Sequence, residues 1–319
     1  ITNYELKITN NTLQHSPAPP STSSGRSLLL RSPAPLLLAL LSTLITLALL
    51  LAHVHRLPSQ PLQQAVAALN AVNKLRLAAG AGCATLDLQI SQAPTAHCTY
   101  FQMNNTANPM CTANAHMEVM GCAGFTGASP IERMRAAGFM ANGGGEVMAF
   151  LNNPERAVQT WVDSVWHRIP ILDPTTSVLG YGATANPGAC DTIDFGPGNR
   201  TGTNTVIVYP YDGQTNVTTT FDGSREGPMP PAPPTGWPSA NPITLYAPTP
   251  MITEHVLTVD GTSEPIEHVW LDSNASQLSA SDKQFLRRSV FMYANKPYMP
   301  NTKYRVKLSG TFAGGTIAK

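Results

Sequence analysis

Between Pro61 and Gly80 apolar residues fall at 62, 66, 69, 72 and 75, the spacing of one helix face, and Gly80 supplies the stop. A second helical stretch, Ser91 to Met103, holds Pro94, which a helix accepts only near its start. "SPIERMRAAG" predicts a third: Ser129 caps, Pro130 takes the first helical position, Glu132 completes a capping box and Gly138 ends the run. "NPERAVQTWVDSVWHR" repeats that logic from Asn153 and Pro154, with Val158, Trp161, Val162 and Val165 on the buried face. Short strand-like runs then follow, "SVLGYGA" (177–183) and "TIDFG" (192–196). Helices first and strands later, with long loops between, predict a mixed α/β layered domain over 60–200.

After Gly196 the pattern changes. "TNTVIVYP" reads as one strand, and "GPMPPAPPTGWPSANP" (227–242) as an extended, semi-rigid proline-rich connector. "ITLYAP", "HVLTVDG", "IEHVWLD", "RRSVFMY" and "TKYRVKLSGTF" then alternate with turns, the spacing of a small β-sandwich. With Tyr304 at a strand start, "MPNTKYRVKLSG" resembles immunoglobulin-like or fibronectin-like modules. The expected division is a linker over 201–242 and an immunoglobulin-like β domain over 243–319, cut short at Lys319. The connector is expected to hold the first domain's cleft away from this module.

At the other end, "LLLALLSTLITLALLLAHV" runs from Leu36 to Val54, preceded by Arg26 and Arg31. About 19 residues of this kind span a bilayer, and leading positive charge favours an N-in, C-out orientation. Only Ala52 offers itself to a small-x-small cleavage site, so 35–55 stands as either a signal peptide or a signal anchor. In both cases the globular part is exported. The chain opens on Ile1 and its first methionine is Met103, so the polar segment 1–34 is set outside the fold as disordered or artefactual.

Composition narrows the function. Charged residues make up 12% of the chain and the net charge is +1, leaving no electrostatic footprint for nucleic acid or an anionic surface. Cys83, Cys98, Cys111, Cys122 and Cys190 contain no CxxC pair, against a zinc ribbon or a redox motif, and an oxidising compartment would pair them. Cys111–Cys122 closes a short loop and would stabilise by roughly 3 kcal/mol. Cys83–Cys98 is the next expectation, with Cys190 the odd one. Sequons stand at Asn104, Asn199, Asn216 and Asn274.

The residues able to do chemistry are His116, Glu118, Glu146 and His167, with His97, Asp163 and Ser164 behind them. They form no local motif such as HExxH, so only the fold can gather them. Two neutral imidazoles and one carboxylate suit Zn²⁺ with a water completing the tetrahedron, and such a water is a nucleophile at neutral pH. Without metal, Glu146 would instead hydrogen-bond His167 and hold its tautomer.

"AALNAVNKLRLAAG", "APTAHCTY", "AHMEV", "GGEVMAF", "WVDSVWHRIPILDP" and "VLGYGA" follow in that order over about 62–196. This succession resembles the CAP superfamily of cysteine-rich secretory, antigen 5 and pathogenesis-related proteins. W-x-x-S-x-x-H-R followed by "GYG", the "HxE…GFTG" stretch and the trailing "VYPYDG" resemble its bacterial branch. The resemblance implies a three-layer α-β-α sandwich with a shallow cleft, lined by two histidines and two acidic residues that sometimes hold a divalent metal. On the matching positions His116 is the first histidine, His167 the second and Glu146 the first acid. The second acidic position is Ser164 here, and the adjacent Asp163 points about 100° away around the helix. Glu118 is the candidate stand-in. His97 matches a helical histidine that is mainly structural in the family.

The reading is thus an α/β chain: a three-layer CAP domain over 60–200, a small all-β immunoglobulin-like sandwich, and an N-terminal transmembrane or signal helix. It would be secreted or membrane-anchored and would bind an extracellular protein, glycan or lipid without catalysis. Its further partner would be the membrane, through an uncleaved N-terminal helix. The rival is a hydrolase of peptide or cell-wall bonds using Zn²⁺ or Mg²⁺, with His116 and His167 on the metal, Glu146 as general base, and Glu146 and Glu118 as further candidate ligands. Lipid or sterol binding is a third reading.

Overall fold

The computed structural model describes residues 4–7, 60–140, 142–186, 188–197 and 204–318. Among the described residues, 4–7 and 61–318 pack as one unit. Segment 35–55, read as a signal or membrane helix, lies outside the described residues. Among the described residues no helix is long and apolar enough to cross a membrane.

The α/β part is built from helices α1 (Gln60–Ala79), α2 (Gln92–Asn104), α3 (Pro130–Ala136), α4 (Pro154–Val162) and α5 (Arg168–Leu172). Its strands are β2 (Thr85–Leu86), β3 (Gly145–Ala149), β4 (Thr176–Thr184) and β5 (Cys190–Pro197), in the order β2-β4-β5-β3. Only the β2–β4 pair is parallel. Alternation along the strands sends residues to both faces. Val147, Leu179, Tyr181, Ile193 and Phe195 meet α1, α4 and α5 on one face. On the other, α2 lies so close to β4 that a Cβ on Gly180 or Gly182 would collide with the α2 backbone at Ser91 or Thr95, which explains the glycines of "GYG".

The α1 face is rotated from the one its leucines and valines predict. Ala65, Ala68, Val72 and Arg76 are buried, while Val66 is 40% exposed. Alanines let the helix approach the sheet, and the buried Arg76 donates to the carbonyls of Gly82, Ile171, Asp173 and Thr176. Caps occur where the sequence placed them: Ser129 accepts from Glu132 N, and Asn153 from Arg156 N.

Two disulfides are present. Cys111–Cys122 is as expected, but Cys98 joins Cys190, not Cys83. Helix α2 crosses β4 and β5 and brings Cys98 over the first residue of β5, with Cα atoms 5.6 Å apart. Cys83 is exposed and outside both bridges. Asn104, read as a glycosylation acceptor, is buried with its amide donating to Tyr100 and Ala123 carbonyls.

The β module has two sheets. One orders β6 (Ile207–Tyr209), β7 (Ile243–Tyr246), β10 (Ser289–Ala294) and β9 (His268–Leu271) as β6-β7-β10-β9. In the other, β11 (Lys303–Phe312) pairs along its length with β8 (Met251–Val259) and forms a hairpin with β12 (Gly315–Ala318). Ile243, Leu245, Leu257, Val290, Met292, Val306 and Leu308 share one core between the sheets. Strand β6, inside the segment read as linker, is therefore the edge of a sheet. Residues Tyr4–Lys7, set outside the fold by the sequence reading, form β1 and pair with Lys303–Val306. They supply the N–H and C=O groups that the short β12 leaves unmatched there.

The proline-rich connector is not a spacer. Pro231 accepts from Tyr293 OH, and Trp237 packs edge-on against Phe221. Between the connector and helix α6 (Ala280–Phe285), Val165 and Trp166 join a core with Phe221, Leu271, Leu286, Phe291 and Tyr293. Arg168, fully buried, donates to Val162 O, Asn241 Oδ1, Thr244 Oγ1 and Pro242 O, stitching α5 to the module. The cleft is consequently walled by the module, not held away from it.

Candidate functional site

His116 sits in the loop between α2 and α3, and local bonds fix that loop. The Cys111–Cys122 bridge closes it, while Tyr100 OH donates to Cys111 O at 2.7 Å and accepts from Val119 N at 2.9 Å. Glu118 binds the loop from within. Only 3% exposed, it accepts from His97 Nδ1 at 3.0 Å, from Thr126 N at 2.6 Å and from Gly127 N at 3.3 Å. Burial pushes its carboxyl up, but these donors and Arg133 outweigh it and hold the group below its usual range. His97 is also fully buried, its Nε2 facing Ala115 O at 2.8 Å. Glu118 and His97 are thus loop-fixing groups. The expectation that Glu118 supplies the missing acid of the cleft is corrected: its oxygens are spent on the loop.

Glu146, the second residue of β3, is the junction between loop and cleft. Its Oε1 accepts from His116 Nδ1 at 2.8 Å and its Oε2 from Arg133 Nη2 at 2.5 Å, while Arg133 Nη1 donates to His116 O at 3.2 Å. Burial opposes ionisation, yet His116, Arg133 and His97 together hold the Glu146 carboxyl down, at about 2. Opposite it in the β3–β5 register is Asp194, fully buried, with neither oxygen receiving a donor. Burial and the neighbouring Glu146 charge push Asp194 well above its ordinary value.

His167 lies at the α4–α5 junction, where its backbone N–H donates to Ser164 Oγ at 3.1 Å. The sequence reading gave it Glu146 as a partner; Glu146 belongs to His116 instead. The partner of His167 Nδ1 is Glu226 Oε2 at 3.1 Å, and Glu226 Oε1 accepts from Val165 N at 3.2 Å. With its side chain 5% exposed, Glu226 stands beside Ser164, the position where the resemblance expects an acid. No local signal marks it, because it sits in a turn at the head of the connector and acts only after the module docks. Asp163 turns away and binds Thr218 and Asn241.

The two imidazoles face each other with ring centroids 6.4 Å apart, their side chains 32% and 19% exposed. Each has Nδ1 on a carboxylate, which fixes Nδ1–H, and in the neutral ring Nε2 is then the acceptor. Among the described residues neither Nε2 has a hydrogen-bond partner. Both rings line a groove of about 1660 Å³ whose walls include Phe150, Trp166, Phe221, Pro228 and Phe285.

This arrangement does not fit a resident catalytic metal. Both oxygens of Glu146 and of Glu226 are engaged, leaving two imidazole nitrogens where a catalytic zinc takes three protein ligands and magnesium takes oxygens. Among the described residues no group of three or more His, Cys, Asp or Glu side chains is placed to hold an ion. Nor do Ser164, His167 and Glu226 form a serine triad. Ser164 Oγ donates to Trp161 O and meets His167 at Nδ1, the nitrogen that Glu226 also holds, whereas a triad needs nucleophile and acid on opposite nitrogens.

Residues 69–195 match the model of the cysteine-rich secretory protein family, CAP. A CAP family domain therefore occupies this span, which carries His116, Glu146 and His167 and ends before Glu226. Among solved structures, an extracellular protein containing an SCP domain from Bacillus anthracis str. Ames is similar at 17% identity and a TM-score of 0.36, over 43% of this chain and 41% of that one. The chain thus spans less than half the length of that protein. No curated protein matches.

Proposed function

We propose, from a CAP family domain at residues 69–195, an exported protein whose histidine-carboxylate cleft binds an extracellular ligand rich in N–H or O–H donors without cleaving it. One observation carries this: two imidazoles with Nδ1 held by buried carboxylates turn two Nε2 atoms toward an aromatic-walled groove. Such a pair rewards hydroxyls and amide N–H groups, and the aromatic walls add stacking area. Two disulfides support an oxidising, extracytoplasmic setting. The finer assignments, a bacterial-branch CAP domain of three layers followed by an immunoglobulin-like module, rest on W-x-x-S-x-x-H-R, "HxE…GFTG" and the two-sheet core.

Glycan, peptide and lipid panels presented to the full chain test the reading, with His116→Ala/His167→Ala as the comparison. Losing both acceptors should weaken binding at least tenfold, about 1.4 kcal/mol. Binding indifferent to the double variant overturns the site. Turnover of a panel member that the variant abolishes overturns the non-catalytic reading and favours a hydrolase.

A further inference from the structure

The groove also contains a sheet edge. Strand β3 ends the order β2-β4-β5-β3, so one side of its backbone has β5 and, among the described residues, the other side has no strand. Two bonds show which residues face which way. Trp161 Nε1 donates to Met148 O at 3.0 Å, and Leu151 N, just past β3, reaches the Asp191 carboxylate on β5 at 3.2 Å. Gly145, Val147 and Ala149 therefore turn their N–H and C=O toward β5, while Glu146 and Met148 turn theirs outward. At Met148 the indole of Trp161 closes the outer edge, and the residue is 7% exposed. At Glu146 the edge stays open. That residue is half-buried although its side chain is only 1% exposed, so its accessible atoms are backbone. Among the described residues, Glu146 N and O have no hydrogen bond outside the sheet. Just ahead, Gly143, Gly144 and Gly145 line the same groove and put no side chain over it.

We infer that this edge seats an extended peptide: the ligand of the histidine cleft adds as a strand along Gly143–Glu146, exchanging N–H···O=C bonds with the Glu146 backbone. The inference deepens the binding reading of the cleft and rests on it. A bare strand edge offers a donor and an acceptor at ladder spacing, and an extended peptide carries the matching pair. A lipid chain matches neither group. The groove, at about 1660 Å³, also exceeds the roughly 300–1,000 Å³ of small-molecule pockets, as a bound stretch of chain requires.

The two imidazoles fit the same ligand. Their ring centroids are 6.4 Å apart, close to the two-residue repeat of about 6.6 Å along an extended chain. Donor-bearing side chains two positions apart on one face of the added strand thus meet His116 Nε2 and His167 Nε2 in turn. Backbone bonds at Glu146 hold the peptide, and the histidines select among its side chains.

A phage-displayed library of random nine-residue peptides, selected on the full chain, tests the inference. Recovered peptides are synthesised, each backbone amide is N-methylated in turn, and binding is measured by calorimetry. Methylation removes the N–H and crowds the ladder, so affinity should fall at least tenfold at alternate residues and little at those between. Gly143→Phe adds a ring where a Cβ meets nothing within 4 Å, and should weaken the peptide at least tenfold with the circular dichroism unchanged. His116→Ala/His167→Ala should weaken it at least tenfold too. Binding that falls with the double variant but shows no alternation, or ignores Gly143→Phe, overturns strand addition and leaves the cleft reading standing. Peptide binding indifferent to the double variant overturns the cleft reading and this inference with it. A library that yields no binder overturns the inference, and a glycan or lipid held by the histidines would then preserve the cleft reading.

Discussion

Glu226→Gln tests whether a residue outside the CAP family span sets what the cleft presents. In the native protein Glu226 Oε1 accepts from Val165 N at 3.2 Å and Oε2 from His167 Nδ1 at 3.1 Å. A glutamine keeps an oxygen for Val165 and turns its amide N–H toward His167. Nδ1 must then accept, the ring proton moves to Nε2, and the groove faces a donor where it had an acceptor. Replacing a charged acceptor by a neutral one should cost about 1 kcal/mol. Glu226→Ala removes both bonds and strands the Val165 N–H among the apolar side chains around Trp166, for about 2–4 kcal/mol. Imidazole ¹⁵N shifts near neutral pH read the tautomer, and urea unfolding reads the stability. A double-mutant cycle with His167→Ala should show a coupling of about 1 kcal/mol. An unchanged His167 tautomer in Glu226→Gln, or a coupling near zero, would refute the reasoning.

Four further outcomes follow from other parts of the structure. Asp194 has a folded pKa above its unfolded value near ~3.9, so its contribution to stability falls as pH rises through the acid range. Asp194→Asn should match wild type below about pH 4 and exceed it increasingly toward neutrality in urea midpoints; a margin independent of pH would contradict this. The Cys98–Cys190 bridge encloses a separation of 92 residues against 11 for Cys111–Cys122, so loop-closure entropy gives about 4.6 against about 2.8 kcal/mol, and alanine pairs should differ by about 2 kcal/mol in unfolding free energy. Arg168→Met leaves buried acceptors at Val162, Asn241 and Pro242 and should cost about 3–5 kcal/mol, lowering the calorimetric midpoint by roughly 10 °C; a fall under about 2 °C would show that the stitch is unimportant. Ser164→Glu alone puts a second carboxylate beside Glu226 and should destabilise by about 2 kcal/mol or more. Adding Glu226→Ser should recover at least about 1 kcal/mol of that loss, and simple additivity would argue against a shared site.

The local signals were legible because they act over a few residues. Ser129, Pro130 and Glu132 announce α3, Asn153 and Pro154 announce α4, and two short strand-like runs give β4 and β5. His116, Glu146 and His167 were legible only through the resemblance, and the structure does place them on one groove. What failed depends on packing. The α1 face was read from its large apolar residues, but close approach to the sheet selects Ala65 and Ala68 and buries Arg76 in a cage of carbonyls. Cys98–Cys190 was missed because chain separation favours near pairs, while α2 crossing the sheet decides the matter in space.

Glu226 has the most consequence among the misses. A glutamate at position 164 would have made the His167 wall of the cleft a property of helix α4 alone. Here Ser164 offers a hydroxyl already committed to Trp161 O, and its short side chain leaves room for a carboxylate arriving from the connector. That carboxylate also accepts the Val165 N–H at the end of α4, while the next residue, Trp166, donates from its indole to Pro228 O at 2.5 Å. The bonds that orient His167 are therefore the bonds that dock the β module. Anything that loosens the docking also frees the His167 tautomer, whereas His116, held by Glu146 and Arg133 within the CAP domain, keeps its own. The two halves of the cleft answer to different parts of the chain, and only the half at His167 senses the second module.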